Sequence, residues 1–409
     1  MSNFGLENSS ATSVRQCRFG VISDSHVALP QTVWQGPNRL HLVEVGIPAL
    51  EQVFEHLQSA DVDFLLMPGD LTQHGEPENH HWLANRLAQL PFPTYVIPGN
   101  HDFPARSFYK SKTTQEEFID LYRKFGYQGS GDRPYYNQQI FPGIRLIGLN
   151  SNQLSADGQY IDGRIDSPQM EWLDRQLQEL KVNHNQSNKE SNKNGDQRSD
   201  EIVMVMVHHN VAEHIPNQST HPLGQRYILP EAVGLQNKLR DAGVKFVFTG
   251  HLHVQNIVDA NGLFAITTGS LIAYPHPYRI LTLHEITSRE PDMDGEVSRQ
   301  RWLEIETHNI KTLPDWENLT SVSRQWAGNH SGAFMTQLLA KSSLGLSLEE
   351  SEFYSQEIQY LWADMARGDQ QLSFPNLPRK IRDYCENFGV RSHNNQIKFC
   401  DNHIALRVD

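Results

Sequence analysis

Five apolar segments of the chain end in residues that bind metals or move protons. They are Asp24-x-His26, Gly69-Asp70, Gly99-Asn100-His101-Asp102, His208-His209 and Gly250-His251-x-His253. Two carboxylates, four or five imidazoles and one carboxamide form a mixed nitrogen and oxygen donor set suited to zinc or first-row transition metals. The set is too large for one tetrahedral ion. Two ions sharing one carboxylate would use all of it, and two metals about 3.5–4 Å apart clamp an in-line displacement at phosphorus. Each pair alone reads as an ordinary turn; the conjunction argues for a site. On extended backbone, residues i and i+2 point the same way, so Asp24 with His26, and His251 with His253, are expected to face one cluster. The glycines before Asp70, Asn100 and His251 allow sharp turns and close backbone approach.

The intervening segments have to bring these tips together. "CRFGVISDSH", "VDFLLMPGD" and "TYVIPGNHD" read as strands separated by the helical patterns "LHLVEVGIPALEQVFEHLQSA" and "ENHHWLANRLAQL". Such alternation predicts an α/β sheet in parallel order, with ligands beyond the carboxyl ends of the strands. "YYNQQIF" and "IRLIGLN" read as a hairpin around Pro142-Gly143, and Ser167-Pro168 opens a helix. "EIVMVMVHHN", "VKFVFTGHLH", "LFAITTGS" and "RILTLHEI" are further strands, with a helix at "PEAVGLQNKLRDAG". Residues 1–16 are expected to be a disordered tail and the polar stretch 183–200 a disordered loop. The pattern changes near residue 290. We therefore expect an α/β domain over 17–290 and a smaller, mainly helical C-terminal domain over 291–409.

With 409 residues and a formal net charge of −13, the chain lacks the basic face of a nucleic-acid or anionic-membrane binder. A small anionic substrate remains compatible, because a bound metal reverses the local field. The three cysteines, Cys17, Cys385 and Cys400, form no C-x-x-C pair, which fits a reducing cytoplasm. The N-terminus has no apolar signal core, and no run of about 18 apolar residues reads as a membrane span.

The ordered blocks "ISDSH", "MPGDLT", "IPGNHDF", "VHHN" and "TGHLH" resemble the calcineurin-like metallophosphoesterase superfamily. They are most similar to its bacterial class III cyclic-nucleotide phosphodiesterase branch, which also contains glycerophosphodiesterases. The resemblance covers roughly residues 17–285 and implies a two-sheet αββα sandwich. It implies that Asp24, His26 and His253 hold one metal, Asp70 bridges, and Asn100, His208 and His251 hold the other. His101 would be the general acid, with Asp102 orienting its ring, and His209 would stand behind His208 or face the substrate. The sequence departs from relatives after "VHHN", where "VAEHIP" follows instead of the usual prolines. The Arg-rich phosphoprotein-phosphatase block is absent, since Asp70 is followed by "LTQHG". The remaining histidines, among them His41, His56, His74, His80, His81 and His214, read as surface or helix residues. Tyr274, His276 and Tyr278 read equally as pocket wall or core.

Two carboxylates and neutral His and Asn ligands leave two divalent ions near a net +2, which a hydroxide and a phosphodiester anion neutralise. The function expected is a dinuclear-metal phosphodiesterase acting on small phosphodiesters, cyclic nucleotides first, by attack of a metal-bridging hydroxide. Two divalent or transition-metal ions are expected, with Fe, Mn, Zn and Co all left open. Glycerophosphodiesters, other phosphoesters or pyrophosphates, and a catalytically silent scaffold are the alternatives. Covering the site, selecting substrates and joining two copies all stay open for the C-terminal region.

Overall fold

The structure, a computed structural model, describes residues 12–34, 39, 41–103, 113–156, 160–194, 201–289, 297–389, 392–393, 396–397 and 401–408. In chain order the first half contains β1 (Thr12–Val21), α1 (Gly46–Ser59), β2 (Phe64–Pro68), α2 (Pro77–Leu87), β3 (Thr94–Ile97), α3 (Gln115–Leu121), β4 (Tyr136–Phe141), β5 (Ile144–Gly148), β6 (Asn152–Leu154), β7 (Tyr160–Gly163) and α4 (Ser167–Asn194). Then follow β8 (Ile202–Met206), α5 (Ala232–Asp241), β9 (Phe246–Thr249), β10 (Asn256–Asp259), β11 (Phe264–Thr267), β12 (Pro277–Arg289) and β13 (Val297–Asn309). The chain finishes with α6 (Leu319–Ala340), α7 (Leu348–Ser355), α8 (Leu361–Ala366), α9 (Arg379–Glu386), β14 (Ser392–His393), β15 (Gln396–Ile397) and β16 (His403–Arg407).

Two six-stranded sheets face each other, ordered β16-β13-β12-β1-β2-β3 and β10-β11-β9-β8-β5-β4. The expected αββα sandwich is present, with parallel order at β1-β2-β3 and at β11-β9-β8-β5. Phe19 joins the layers: its ring stacks on Phe64 of its own sheet at 4.8 Å and meets Phe248 of the other edge-on at 5.9 Å. On the outer face of the first sheet, α1 buries Ala49, Leu50, Val53, Phe54 and Leu57, one helical stripe. Behind the second sheet, Trp172, Leu173 and Leu177 of α4 and Leu235 and Leu239 of α5 cover Val203, Val205 and Val247.

Three boundaries differ from the sequence reading. Strand β1 starts at Thr12, inside the stretch expected to be tail, because residues 12–16 pair with 284–288 of β12; residues 1–11 lie outside the described residues. Helix α4 continues to Asn194, through most of the expected 183–200 loop, whose last residues, 195–200, lie outside the described residues. The region after 290 is not purely helical. Strand β13 pairs with β12 along its whole length and β16 pairs with β13, so two strands of the C-terminal region belong to the first sheet.

Between them, α6, α8 and α9 gather a third core. It includes Met335, Leu338, Leu339, Leu361 and Ile381, and with them Leu252 and Val254 from the loop after β9. No helix among the described residues is long and apolar enough to cross a membrane.

Candidate metal centre

The strand tips do leave their sheets at one edge, but not on extended backbone. Asp24, His26, Asp70, His251 and His253 have φ of 51°, 38°, 49°, 66° and 59°. These are left-handed conformations that cost on the order of 1–3 kcal/mol each and concentrate at functional sites. The expectation that strand alternation aligns Asp24 with His26 is therefore corrected: left-handed turns do it. One fully buried Phe such as Phe19 contributes about 1.5–3 kcal/mol, so the core beneath the tips can hold this strain. The intervening residues point away, Ser25 to donate to the Leu71 carbonyl and Leu252 into the helical core.

At Asn100–Asp102 the chain makes a single 3-10 turn. Consecutive residues of such a turn lie about 120° apart, so three adjacent side chains serve three places. Asn100 Oδ1 lies 3.2 Å from His208 Nε2. His101 places its ring in the cavity, and its N–H donates to Asp70 Oδ1 at 2.8 Å. Asp102 turns inward, fully buried, and accepts from the Leu71, Thr72 and Gly99 amides and the Thr72 hydroxyl. It does not orient the His101 ring. That bond comes from Nδ1 to the Gln73 carbonyl at 2.7 Å. The Asp102 carboxylate staples the second and third tips together. Burial pushes its pKa up to about 7, with Asp70 adding to the rise and the amides opposing it.

Two sets of donor atoms come together within 4.8 Å: Asp24, His26, Asp70 and His253, and Asp70, His208 and His251. Asp70 belongs to both. Its Oδ2 is 3.3 Å from His208 Nε2 and 3.6 Å from His26 Nε2. Asp24 Oδ1 is 3.0 Å from His253 Nε2, and Asp24 accepts from the Ser23 hydroxyl and the His251 amide. Backbone carbonyls orient two rings from outside. His208 Nδ1 faces Pro68 O at 2.8 Å and His251 Nε2 faces Arg226 O at 2.9 Å. A carbonyl only accepts, so each of these nitrogens carries its hydrogen and leaves the opposite nitrogen to a ligand.

The electrostatics fit a pair of divalent cations. Burial, reinforced by neighbouring histidines, drives His26 and His251 well below the usual imidazole range, so they are neutral donors. Burial also opposes charge on His208, but the Asp70 carboxylate outweighs it and lifts His208 to about 9, so its Nε2 holds a proton that a cation bound there would displace. Asp70 is pushed up by burial yet held well below the usual carboxylate range by His208 and His101. His26 Nε2 is buried without a hydrogen-bond partner, which is costly unless a cation takes its lone pair.

His208, not His209, faces the cluster. Both ring nitrogens of His209 are engaged, Nδ1 with the Ser151 hydroxyl at 2.8 Å and Nε2 with the Tyr160 hydroxyl at 3.1 Å. Two histidines expected at the surface are in the cavity instead. His41 lies 4.7 Å from the His253 ring and 5.5 Å from His26, and His74 stacks on His101 at 5.4 Å. No spacing signal marked His41; His74 and Gln73 follow the Asp70 block directly, and that adjacency was the available clue. His80 is buried between Thr72 and Tyr122, and His214 against Asn256, so both are structural. Tyr274 lines the cavity, whereas His276 bonds to Leu271 O and Tyr278 to His56.

Above the donors lies a cavity of about 290 Å³. Arg39, Arg226 and Tyr227 line it, as do Phe334 and Trp362 from α6 and α8. None of these was singled out in the sequence.

Gly99 is a close-approach glycine. A Cβ there would meet Asp70 N and Oδ1 at 2.2 Å. Gly99→Ala is expected to push Asp70 out of place, costing about 1–3 kcal/mol or more and most of the bound metal. Gly234→Ala, in open space on α5, should raise stability by about 0.5–1 kcal/mol. Thermal unfolding with metal analysis of both variants checks the contrast.

A probable cyclic nucleotide phosphodiesterase of Synechococcus sp. is 31% identical over 159 residues, 39% of this chain and 51% of that protein. A probable glycerophosphodiester phosphodiesterase of Arcobacter nitrofigilis is 30% identical over 117 residues, 28% of this chain and 36% of that protein. The chain thus spans about half, or less, of the length of these curated relatives. A dimetal phosphatase from Danio rerio superposes with a TM-score of 0.46 at 16% identity, over 69% of this chain and 98% of that one. All five donor loops fall within residues 17–255, the stretch that matches the calcineurin-like phosphoesterase family, and the chain belongs to that family.

Proposed function

We propose that the protein is a dinuclear-metal phosphodiesterase acting on small phosphodiesters, with cyclic nucleotides favoured over glycerophosphodiesters. The observation that carries this reading is the pair of donor sets sharing Asp70 on the floor of a cavity that also receives His101. Asp24, His26, His253 and the shared Asp70 would hold one ion, and Asn100, His208 and His251 the other. When bound, the two ions supply Lewis acidity that makes water a nucleophile near neutral pH and offsets charge on the phosphate.

The chain's own residues do the rest. The His101 N–H holds one Asp70 oxygen in place. Its ring Nδ1 keeps a hydrogen on the Gln73 carbonyl, so the ring acts from its imidazolium form, giving the Nε2 proton to the departing alkoxide and returning to the neutral Nδ1–H tautomer. Arg39 and Arg226 place positive charge on the cavity wall, where a phosphodiester anion is attracted. Arg39 is held by Glu44 at 2.7 Å, which leaves Arg226 as the freer of the two. The cyanobacterial relative's name favours cyclic nucleotides, and the Arcobacter relative's name keeps glycerophosphodiesters as the second reading.

The test is a substrate panel of cyclic nucleotides, glycerophosphodiesters and monoesters with metal-reconstituted protein, alongside metal analysis. Diesters should be turned over, and chelation should abolish the activity. A protein that takes up no metal and hydrolyses nothing is instead a silent scaffold.

A further inference from the structure

One wall of the cavity belongs to the C-terminal helices. Phe334 of α6 and Trp362 of α8 line it beside Tyr227. The Trp362 ring centre lies 5.0 Å from Phe334 at 80° and 5.9 Å from Tyr227 at 36°. Tyr227 in turn lies 5.2 Å from the donor His251, so aromatic surface runs from the metal cluster to the helices. These three rings are only partly buried, whereas Met335, Leu338 and Leu361 behind them are buried. Ala327, Ala363 and Ala366 line the same wall, and their short side chains leave room beside the indole.

The wall is held rigidly. Arg324 of α6 grips Asp364 of α8 at 2.9 and 3.0 Å and lies 4.2 Å over the Tyr360 ring. The Ser331 hydroxyl donates to the Gln359 carbonyl at 2.6 Å. A surface fixed before binding loses little freedom when a ligand arrives.

Three half-exposed rings suit either a flat aromatic group or a quaternary ammonium. The charges decide between them. Arg226 lies 5.3 Å over Tyr227, Arg39 lines the same cavity, and Asp70 is the one carboxylate among the described lining residues. Two guanidiniums disfavour a cationic head group and leave the ring faces to an uncharged planar one. The cavity, about 290 Å³, is at the small end of ligand sites.

We propose that Trp362, with Phe334 and Tyr227, stacks the base of a nucleotide substrate, so that the C-terminal helices set a preference for nucleoside phosphodiesters. This assignment rests on the phosphodiesterase reading above. It makes Trp362 a specificity residue that acts on the part of the substrate remote from phosphorus.

The test is equilibrium binding of 5′-AMP and of ribose 5-phosphate, which has the same sugar and phosphate but no base. The full-length protein should bind 5′-AMP about 5- to 150-fold more tightly, the range of base–aromatic stacking. Trp362→Leu keeps apolar bulk but removes the ring, and should bring the ratio close to one by weakening 5′-AMP far more than ribose 5-phosphate. Trp362→Phe should retain most of the preference, and circular dichroism checks that both variants fold. Equal binding of the two ligands by the wild type overturns the proposal, as does a preference that survives Trp362→Leu. Glycerophosphocholine losing more affinity than 5′-AMP in that variant also overturns it, in favour of an ammonium site. Hydrolysis of bis-p-nitrophenyl phosphate by the wild type is read separately. An inert protein with a base-dependent ratio fails the catalytic reading alone, and an active one without a ratio fails the stacking alone.

Discussion

Asp70→Asn is expected to remove the metal pair and lower phosphodiester hydrolysis at least about 100-fold, the upper end of what loss of an outer-shell partner costs. The reason is the position of one carboxylate between two donor sets. Asparagine preserves the shape and one oxygen, but it replaces a shared anionic donor with an amide nitrogen that has no lone pair to give. Two divalent ions would then be balanced by Asp24 alone, and neither set would be complete. Metal content and turnover should fall together, while far-UV circular dichroism stays that of the wild type. A variant that keeps two ions and its rate would show that Asp70 is not shared.

His101→Ala separates chemistry from metal binding. Its ring is held by the Gln73 carbonyl and not by a metal-site carboxylate, so metal content should be unchanged. Loss of a positioned general acid typically costs about 10²–10⁴-fold, and the size depends on the leaving group. A ribose or glycerol alkoxide needs the proton, whereas p-nitrophenolate leaves without one. The variant should therefore be crippled towards cyclic nucleotides or glycerophosphodiesters and far less affected towards bis-p-nitrophenyl phosphate. Equal loss on both ester types would assign His101 to phosphate positioning only.

The donor residues were legible because they punctuate apolar strands, and an Asp, Asn or His after a buried run has little reason to be there for packing. The parallel strand–helix alternation was legible from the same runs, whereas the second sheet was implied only by the family resemblance. Contacts set by the third dimension were not. Asp102 follows His101 directly, which suggested a pair, yet a 3-10 turn sends neighbours in different directions and the carboxylate went to amides of another loop. Strand β13 was missed because its apolar face shows only at Leu303 and Ile305, between exposed or half-exposed Trp302, Glu304 and Glu306. With one side in solvent and many charges, that alternation did not stand out against the helical segments after it. His41 joins the cavity by tertiary packing alone.

Leu252 ties two functions that could have been separate. It sits between His251 and His253, and its side chain is one of the core residues shared with α6, α8 and α9. Substitutions deep among those helices, far from any ion, should therefore register as altered metal occupancy. Grafting a different C-terminal segment onto this scaffold would disturb catalysis before it changed selectivity. New substrate ranges are more readily reached by exchanging single side chains on the inner faces of α6 and α8 than by trading the whole appendage.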